Sequence, residues 1–130
     1  MKVLIVDESG ALDALAGELH ADGLETLSPP VEVVSEAAGG EVAEIADALI
    51  ALERLLAGEG ADALLLGSAS NVALAAVLVA TKAGIPVAAV GGPSEPGPEL
   101  NARLIARLAD AVLAADAPVV AGWLRGPGAG

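Results

Sequence analysis

The stretch Gly60-Ala-Asp-Ala-Leu64-Leu-Leu-Gly67-Ser-Ala-Ser-Asn71-Val-Ala-Leu-Ala-Ala-Val-Leu-Val-Ala80-Thr-Lys-Ala-Gly84-Ile-Pro-Val-Ala-Ala-Val90 decides the fold. It reads as a strand over 62–67, a small polar turn, an apolar helix over 70–83, a glycine stop and a second strand over 85–90. Strand, crossover helix and strand make one βαβ unit, and its strands run parallel. Both strands are apolar along their length, as strands covered on two faces are.

The same alternation extends in both directions. Upstream, Val3-Leu-Ile-Val6 is a short strand that ends in the turn and cap residues Asp7-Glu8-Ser9-Gly10. Residues 11–20 follow as a helix with Leu12, Leu15 and Leu19 on one face, ended by Ala21-Asp-Gly23. Residues 24–30 read as a loop closed by Pro29-Pro30, and Val31–Val34 as a short strand. The next helix begins after Gly39-Gly40, and Val42, Ile45, Leu49, Leu52 and Leu56 give it one apolar stripe at spacings of three and four. Glu41, Glu44 and Asp47 lie off that stripe in its first turns, where the helix dipole favours negative charge.

Downstream, residues 91–98 form a turn-rich loop, and residues 99–110 a helix with Leu100, Leu104 and Leu108 at spacing four and Arg103 and Arg107 on another face. Ala111–Ala114 is a last strand. The reading assigns residues 1–117 to a single domain and 118–130 to a tail, and it finds no internal repeat. The fold expected is a three-layer, Rossmann-like α/β domain on a mostly parallel sheet of four to five strands. Helix 70–83 is apolar around its whole circumference. It is therefore either enclosed by other elements or part of a subunit interface.

Composition narrows the chemistry. Aromatics make up 1% of the 130 residues, so the core is built from Ala, Val, Leu and Ile. With no cysteine and His20 as the single histidine, disulfides, thiolate metal sites, a cysteine nucleophile and any two-imidazole scheme are excluded. His20, near a helix C-terminus, reads as a charge–dipole contact. The net charge of −12 sits entirely in residues 1–62, where fourteen acids face Lys2 and Arg54. That surface opposes nucleic-acid binding, because phosphates would be repelled. Residues 63–81 carry no charge and mean hydropathy is +0.68, but the turn at 67–71 interrupts the run and no basic cluster flanks it, which argues against a membrane span. Asp7 and Glu8 break the first apolar run too early for a signal peptide. A cytoplasmic protein is expected.

Several runs in this order carry a resemblance. Leu52-Glu-Arg-Leu-Leu56 precedes Ala61-Asp-Ala-Leu-Leu-Leu-Gly67, and an Ala/Leu-rich helix then leads into Gly84-Ile-Pro-Val87. Glu99-Leu-Asn-Ala-Arg-Leu104 is followed by Leu108-Ala-Asp110. From about residue 39 to 116 this resembles the N-terminal domain of the non-hydrolysing UDP-N-acetylglucosamine 2-epimerases, and Met1–Val6 fits the family start. The resemblance implies a Rossmann-like fold and an edge that faces a nucleotide sugar. It also shows departures. The aspartate of the family's Gly-Asp-Thr turn falls on Ser68, the glutamate of its His-Val-Glu-Ala-Gly run on Gly91, and its Gly-Thr-Arg turn on Asp7-Glu8-Ser9-Gly10. Only Glu99 matches an expected acid. The family's second, nucleotide-binding domain has no counterpart in these 130 residues. Epimerisation by elimination and re-addition needs a base, an acid and cations for the pyrophosphate, and Glu99 alone cannot fill those roles.

The residues themselves offer a modest site. The turns after parallel strands gather along one edge of the sheet, here collecting Asp7, Glu8, Ser68, Ser70, Asn71, Ser94 and Glu95. Ser70 or Asn71 can cap helix 70–83, whose free amides can receive an anion. Arg103 is a further ligand candidate, and Asp7 with Glu8 the one pair that could hold a cation. No cofactor and no resident metal are expected. Trp123 lies in the apolar stretch Val119–Leu124, which can dock on the domain or on another subunit.

Three functions stay open. The first is a catalytically inactive, homo-oligomeric interaction or regulatory module, dimerising through the apolar surface of helix 70–83. The second is a nucleotide or nucleotide-sugar binding protein, including one half of a split epimerase. The third is an atypical receiver-like domain, since Met1–Asp7-Glu8 looks like a response-regulator start. Such a domain needs a phospho-acceptor aspartate at the end of the third strand, where Gly67-Ser68 stands.

Overall fold

The computed structural model describes residues 1–7, 12–28, 41–91 and 99–126, with the side chains of all but Glu41 and Glu99. Along the chain run β1 (Lys2–Val6), α1 (Asp13–Ala21), β2 (Glu25–Leu27), α2 (Glu41–Glu59), β3 (Ala63–Leu66), α3 (Asn71–Ala83), β4 (Val87–Val90), α4 (Glu99–Leu108), β5 (Ala111–Leu113) and α5 (Ala117–Arg125). The five strands form one sheet in the order β2-β1-β3-β4-β5, and every neighbouring pair is parallel. The order reverses between β1 and β3, which makes their C-terminal ends the switch point of a doubly wound sheet. The expected Rossmann-like α/β architecture is what the chain adopts.

The pleat sorts the strand residues into two cores, because alternate side chains point to opposite faces. Leu4, Val6, Leu64, Leu66, Val87 and Ala89 meet α2, α3 and α4, whereas Val3, Ile5, Ala63, Leu65, Ala88 and Val90 meet α1 and α5. With no large aromatic in the core, small side chains let α3 lie close to the sheet. Val72, Ala73, Leu74, Ala75, Ala76, Val77 and Ala80 are all buried. Helix α3 begins at the Ser70 cap, whose Oγ accepts the Ala73 N–H at 3.0 Å, and stops at Gly84, which takes the left-handed φ of +76°.

The apolar composition of α3 left two explanations open. Most of its apolar surface is covered within the protomer by α2 on one side and α4 on the other, leaving Leu78 and Val79 half-buried, so of the two explanations for its composition enclosure accounts for most of it. A correction concerns residues 118–130. Residues 117–125 form α5 and bury Ala117, Val120, Ala121 and Leu124 on the second face of the sheet. Asp116 caps this helix through the Val119 N–H, and Pro118 occupies a first-turn position where no donor is needed. The glycines beyond drew the tail boundary too early. Trp123 packs half-buried against this core.

Other differences are local. Residues 25–27, read as loop, form strand β2. Glu-Thr-Leu offers a single apolar residue, and among the described residues this short strand pairs on one side only, with β1. The strand expected at 31–34 lies outside the described residues. On α4 the buried positions are Asn101 and Ile105, one residue out of register with the expected Leu100–Leu104–Leu108 stripe. On α2 the buried positions are Ala48 and Leu52, with Ile45, Leu49 and Leu56 partly buried, and Val42 is exposed.

A short internal repeat also emerges. Ala61-Asp-Ala-Leu-Leu65 and Ala109-Asp-Ala-Val-Leu113 each place an aspartate just before a strand. Asp62 donates its N–H to the Lys2 carbonyl at 2.7 Å and accepts the Lys2 N–H on Oδ2 at 2.8 Å. Asp110 repeats both bonds with Val87, each at 2.7 Å. The first N–H of a strand often has no ladder partner, and here a carboxylate supplies one, fixing the register of β1 on β3 and of β4 on β5.

Candidate functional site

The switch point is built from the ends of β1 and β3. Asp7 follows β1 and accepts the Leu12 N–H on Oδ2 at 2.7 Å, so its carboxylate is engaged in ordering the entry to α1. Gly67 follows β3, is buried, and donates its N–H to the Val6 carbonyl at 3.1 Å. The next residue, Ser68, is 6% exposed, and its Oγ has no hydrogen-bond partner among the described residues. A buried hydroxyl without a partner carries a desolvation cost, so it marks the place where a ligand atom or water would be accepted most readily. Ser68 lines a cavity of about 90 Å³ between the sheet and α4, with Leu66, Ala69, Ala89, Ile105 and Val112 among its walls.

Ser70, Asn71 and Asn101 stand next to it. Ser70 caps α3, and the Asn71 Oδ1 accepts from the Asn101 Nδ2 at 2.9 Å. Asn101 is 4% exposed. This side-chain bond couples the N-terminus of α3 to the first turn of α4 and explains how a polar residue occupies the inward position of α4. Ser68, Ser70 and Asn71, selected from the sequence, are thus brought together, and Asn101 joins them. Its signal lay in the Glu99-Leu-Asn-Ala-Arg103 run, but the leucine spacing drew attention to the wrong face of the helix.

Arg103 is not brought to this edge. It is exposed on the outer side of α4, whereas Ala102, Ile105 and Ala106 of the same helix line the Ser68 cavity. Glu8, Ser94 and Glu95 lie outside the described residues, as does the side chain of Glu99. Lys82, Arg107, Arg125 and His20 stand in the last turns of their helices, at the opposite edge of the sheet. Lys2 is at the start of β1, also on that opposite edge. There its ammonium contacts Glu25 at 3.3 Å and Glu59 at 3.5 Å, and the hydrogen bond to Glu25 holds its pKa above the usual lysine value. Among the described residues, no group of three His, Cys, Asp or Glu could hold a metal ion.

Gly91, which follows β4, adopts a φ of +76° and donates to the Leu113 carbonyl at 2.6 Å. A side chain there would be strained by the backbone itself. Position 91, where the sequence resemblance would place a glutamate, is therefore shaped for glycine. The end of β3 likewise offers a hydroxyl, not the carboxylate that a receiver domain would phosphorylate.

No helix among the described residues is long and apolar enough to cross a membrane. Neither a protein-family model nor a curated protein matches the sequence. The fold does match solved structures. UDP-GlcNAc 2-epimerase from Methanocaldococcus jannaschii superposes with a TM-score of 0.73 at 22% identity, over 88% of this chain and 39% of that one. The Neisseria meningitidis UDP-GlcNAc 2-epimerase bound to UDP-GlcNAc gives 0.71 at 19% identity, over 88% and 40%. MurG from Acinetobacter baumannii gives 0.64 at 19% identity, over 87% and 40%. The resemblance read from the sequence is thus matched by a likeness of fold, and the chain spans about two-fifths of the length of these neighbours.

Proposed function

We propose that this chain is a nucleotide-sugar binding and interaction domain that keeps an epimerase-like fold and carries out no epimerisation by itself. The observation that carries the reading is Ser68. Its buried hydroxyl, without a partner among the described residues, stands at the switch point, beside the α3 N-terminus, at the position where the resemblance places a carboxylate. Ser68 can donate a hydrogen bond to a sugar or phosphate oxygen but is no base to remove a sugar proton, and the Asp7 carboxylate at this edge is engaged by the Leu12 N–H. The left-handed Gly91 supports the same conclusion at the second carboxylate position. Two of the structural neighbours are described as bound to UDP-GlcNAc or to UDP-GlcNAc and UDP, which supports that ligand class. The described edge lacks a lysine or arginine for a pyrophosphate. Tight binding therefore calls for a second half, supplied by a longer chain or by a partner in the cytoplasm.

Thermal-shift and calorimetric titration with UDP, UDP-GlcNAc and UDP-glucose, with and without Mg²⁺, tests binding. Incubation of UDP-GlcNAc in D₂O tests chemistry. A stabilisation by UDP-sugars with no deuterium at C2 is expected. No shift with any of the three would remove the binding assignment, and deuterium at C2 would remove the inactivity.

The second reading is a homo-oligomeric regulatory module. With most of α3 enclosed, its support moves to the large apolar side chains left exposed on α2 and α4. Sedimentation analysis across a wide concentration range tests it, and a strict monomer would exclude it.

A further inference from the structure

The cavity that Ser68 borders is walled by hydrocarbon. Leu66 and Ala89 of the sheet face Ala102 and Ile105 of α4 across it, and Val112 of β5, 63% exposed, forms part of its rim. Ser68 brings the one polar side chain to this wall, and its buried Oγ has no hydrogen-bond partner among the described residues. No charged side chain is among the described lining residues. A water held here would find one side-chain partner, where buried waters make about three hydrogen bonds. The hydroxyl itself carries the cost of an unpaired donor. The slot is therefore matched to a body that is apolar except for one hydrogen-bond acceptor. Its size narrows the choice. The volume is about 90 Å³, which at an interior packing density of roughly 0.75 holds on the order of four or five non-hydrogen atoms. Pockets that enclose a whole small-molecule ligand start at about 300 Å³, so this one takes a single group of a ligand.

We propose that the slot binds a short, neutral O-acyl or keto group carried on a larger molecule, with the Ser68 hydroxyl donating to its carbonyl oxygen. The chemistry of the wall selects this class. An ester or ketone carbonyl accepts a hydrogen bond and brings no donor, so a single bond to Ser68 leaves neither side with an unpaired N–H or O–H. A carboxylate would bury its charge without a cation, because Arg103 stands on the outer side of α4. A primary amide brings two N–H donors, and among the described lining side chains only the Ser68 Oγ could accept from them. An alcohol shares one bond between two hydroxyls and leaves one O–H unpaired. The alkyl part of the acyl group gains by leaving water for Leu66, Ala89 and Ile105. This assignment goes beyond the nucleotide-sugar reading. It shares Ser68 with that reading and does not rest on it, since it needs neither a phosphate nor a helix N-terminus.

The test is methyl NMR on the full chain, following Leu66, Ile105 and Val112 during titration with methyl acetate, acetone, acetamide, sodium acetate and methyl 6-O-acetylglucoside. Saturable shifts at Ile105 are expected with methyl acetate and acetone, and affinities about tenfold or more lower for acetamide and acetate. The acetylated glucoside should bind more tightly than methyl acetate. Ser68→Ala should weaken methyl acetate about tenfold and erase its advantage over acetamide. Ala102→Leu, which fills the slot, should abolish the shifts, with circular dichroism confirming the fold; where that variant does not fold, Ser68→Ala decides. The absence of a saturable shift with every probe would overturn the slot. Equal affinity for methyl acetate and acetamide would exclude the acyl class, and an unchanged affinity in Ser68→Ala would exclude the hydroxyl as its donor. A glucoside weaker than methyl acetate would contradict the carried group. None of these probes contains a nucleotide, so this assignment and the nucleotide-sugar reading can each fail while the other stands.

Discussion

Gly67 and Asp7 are packed so closely at the ends of β3 and β1 that a Cβ on residue 67 would stand 2.7 Å from the Asp7 Cγ and 2.8 Å from the Leu12 Cγ. Neither neighbour is the loose end of a flexible chain, because Asp7 is held by the Leu12 N–H and Leu12 is buried. Gly67→Ala should therefore destabilise the fold by roughly 1–3 kcal/mol, the range for overpacking a tight site. Gly17→Ala is the matched control. It lies exposed on α1 with no atom within 4 Å of the added methyl, and should stabilise by about 0.5–1 kcal/mol. Urea denaturation followed by the fluorescence of Trp123 reads both. Equal effects at the two glycines would contradict the packing described at the switch point.

Ser68→Ala removes a buried hydroxyl that has no partner in the described structure. Removing an unsatisfied group should leave stability unchanged or raise it by about 1 kcal/mol, against the usual trend for buried substitutions. UDP-sugar binding should weaken in the same variant. A clear loss of stability would show that the hydroxyl is satisfied in solution. Ser68→Asp, which installs the acid of the resembled enzymes, should lower stability by burying a charge and still exchange no deuterium into UDP-GlcNAc, since Gly91 stands at the second acid position and the described edge has no lysine or arginine for the pyrophosphate.

Asp62 and Asp110 each take a strand N–H on a carboxylate oxygen. Asp110→Ala should cost about 1–2 kcal/mol, the loss of a hydrogen bond to a charged group with some exposure, and should speed hydrogen exchange at the Val87 amide. Asp62→Ala should do the same at Lys2. Unchanged exchange at Val87 in Asp110→Ala would refute the bond.

The Lys2 ammonium titrates above the usual lysine value, chiefly through its hydrogen bond to Glu25, with Glu59 adding to it and desolvation opposing. A pKa raised in the folded state adds stability that is fully present below the unfolded lysine value and lost as pH rises through the folded one. Thermal stability should thus decline through the alkaline range where Lys2 loses its proton, and less so in Lys2→Met. In Glu25→Gln, NMR titration of the Lys2 side chain should show a lower midpoint than in the wild type. The same midpoint in both would rule out Glu25 as the main cause.

The fold was legible wherever burial on two faces left a continuous apolar run. β1, β3 and β4 could be read directly, as could α3 with its Ser70 cap and Gly84 stop. β2 was not, because an edge strand needs only one covered side and Glu25-Thr-Leu27 carries little apolar signal. α4 misled by one residue, because Asn101 fills an inward position that hydropathy reserves for leucine, and only the partner amide of Asn71 makes that tolerable. α5 was hidden by the glycines that follow it. At the site, serines and the cap could be named from spacing. The separation of Arg103 from Ser68 depends on which side of α4 faces the sheet, and the leucines pointed to the wrong one.

The paired aspartates also set a temporal order. The Val87–Asp110 bond closes 23 residues of chain, whereas Lys2–Asp62 closes 60. By loop-closure entropy the shorter one is easier by roughly 0.9 kcal/mol. The β4–α4–β5 half should accordingly be in place in the folding transition state, with β1 inserting late between β2 and β3. Asp110→Ala would then slow folding, and Asp62→Ala would mainly speed unfolding. Chevron kinetics with the reverse pattern would place the nucleus at the N-terminus. In the expected order, the switch point is the last part of the sheet to close: Asp7 reaches Gly67 only after the scaffold that holds Ser68 has already formed.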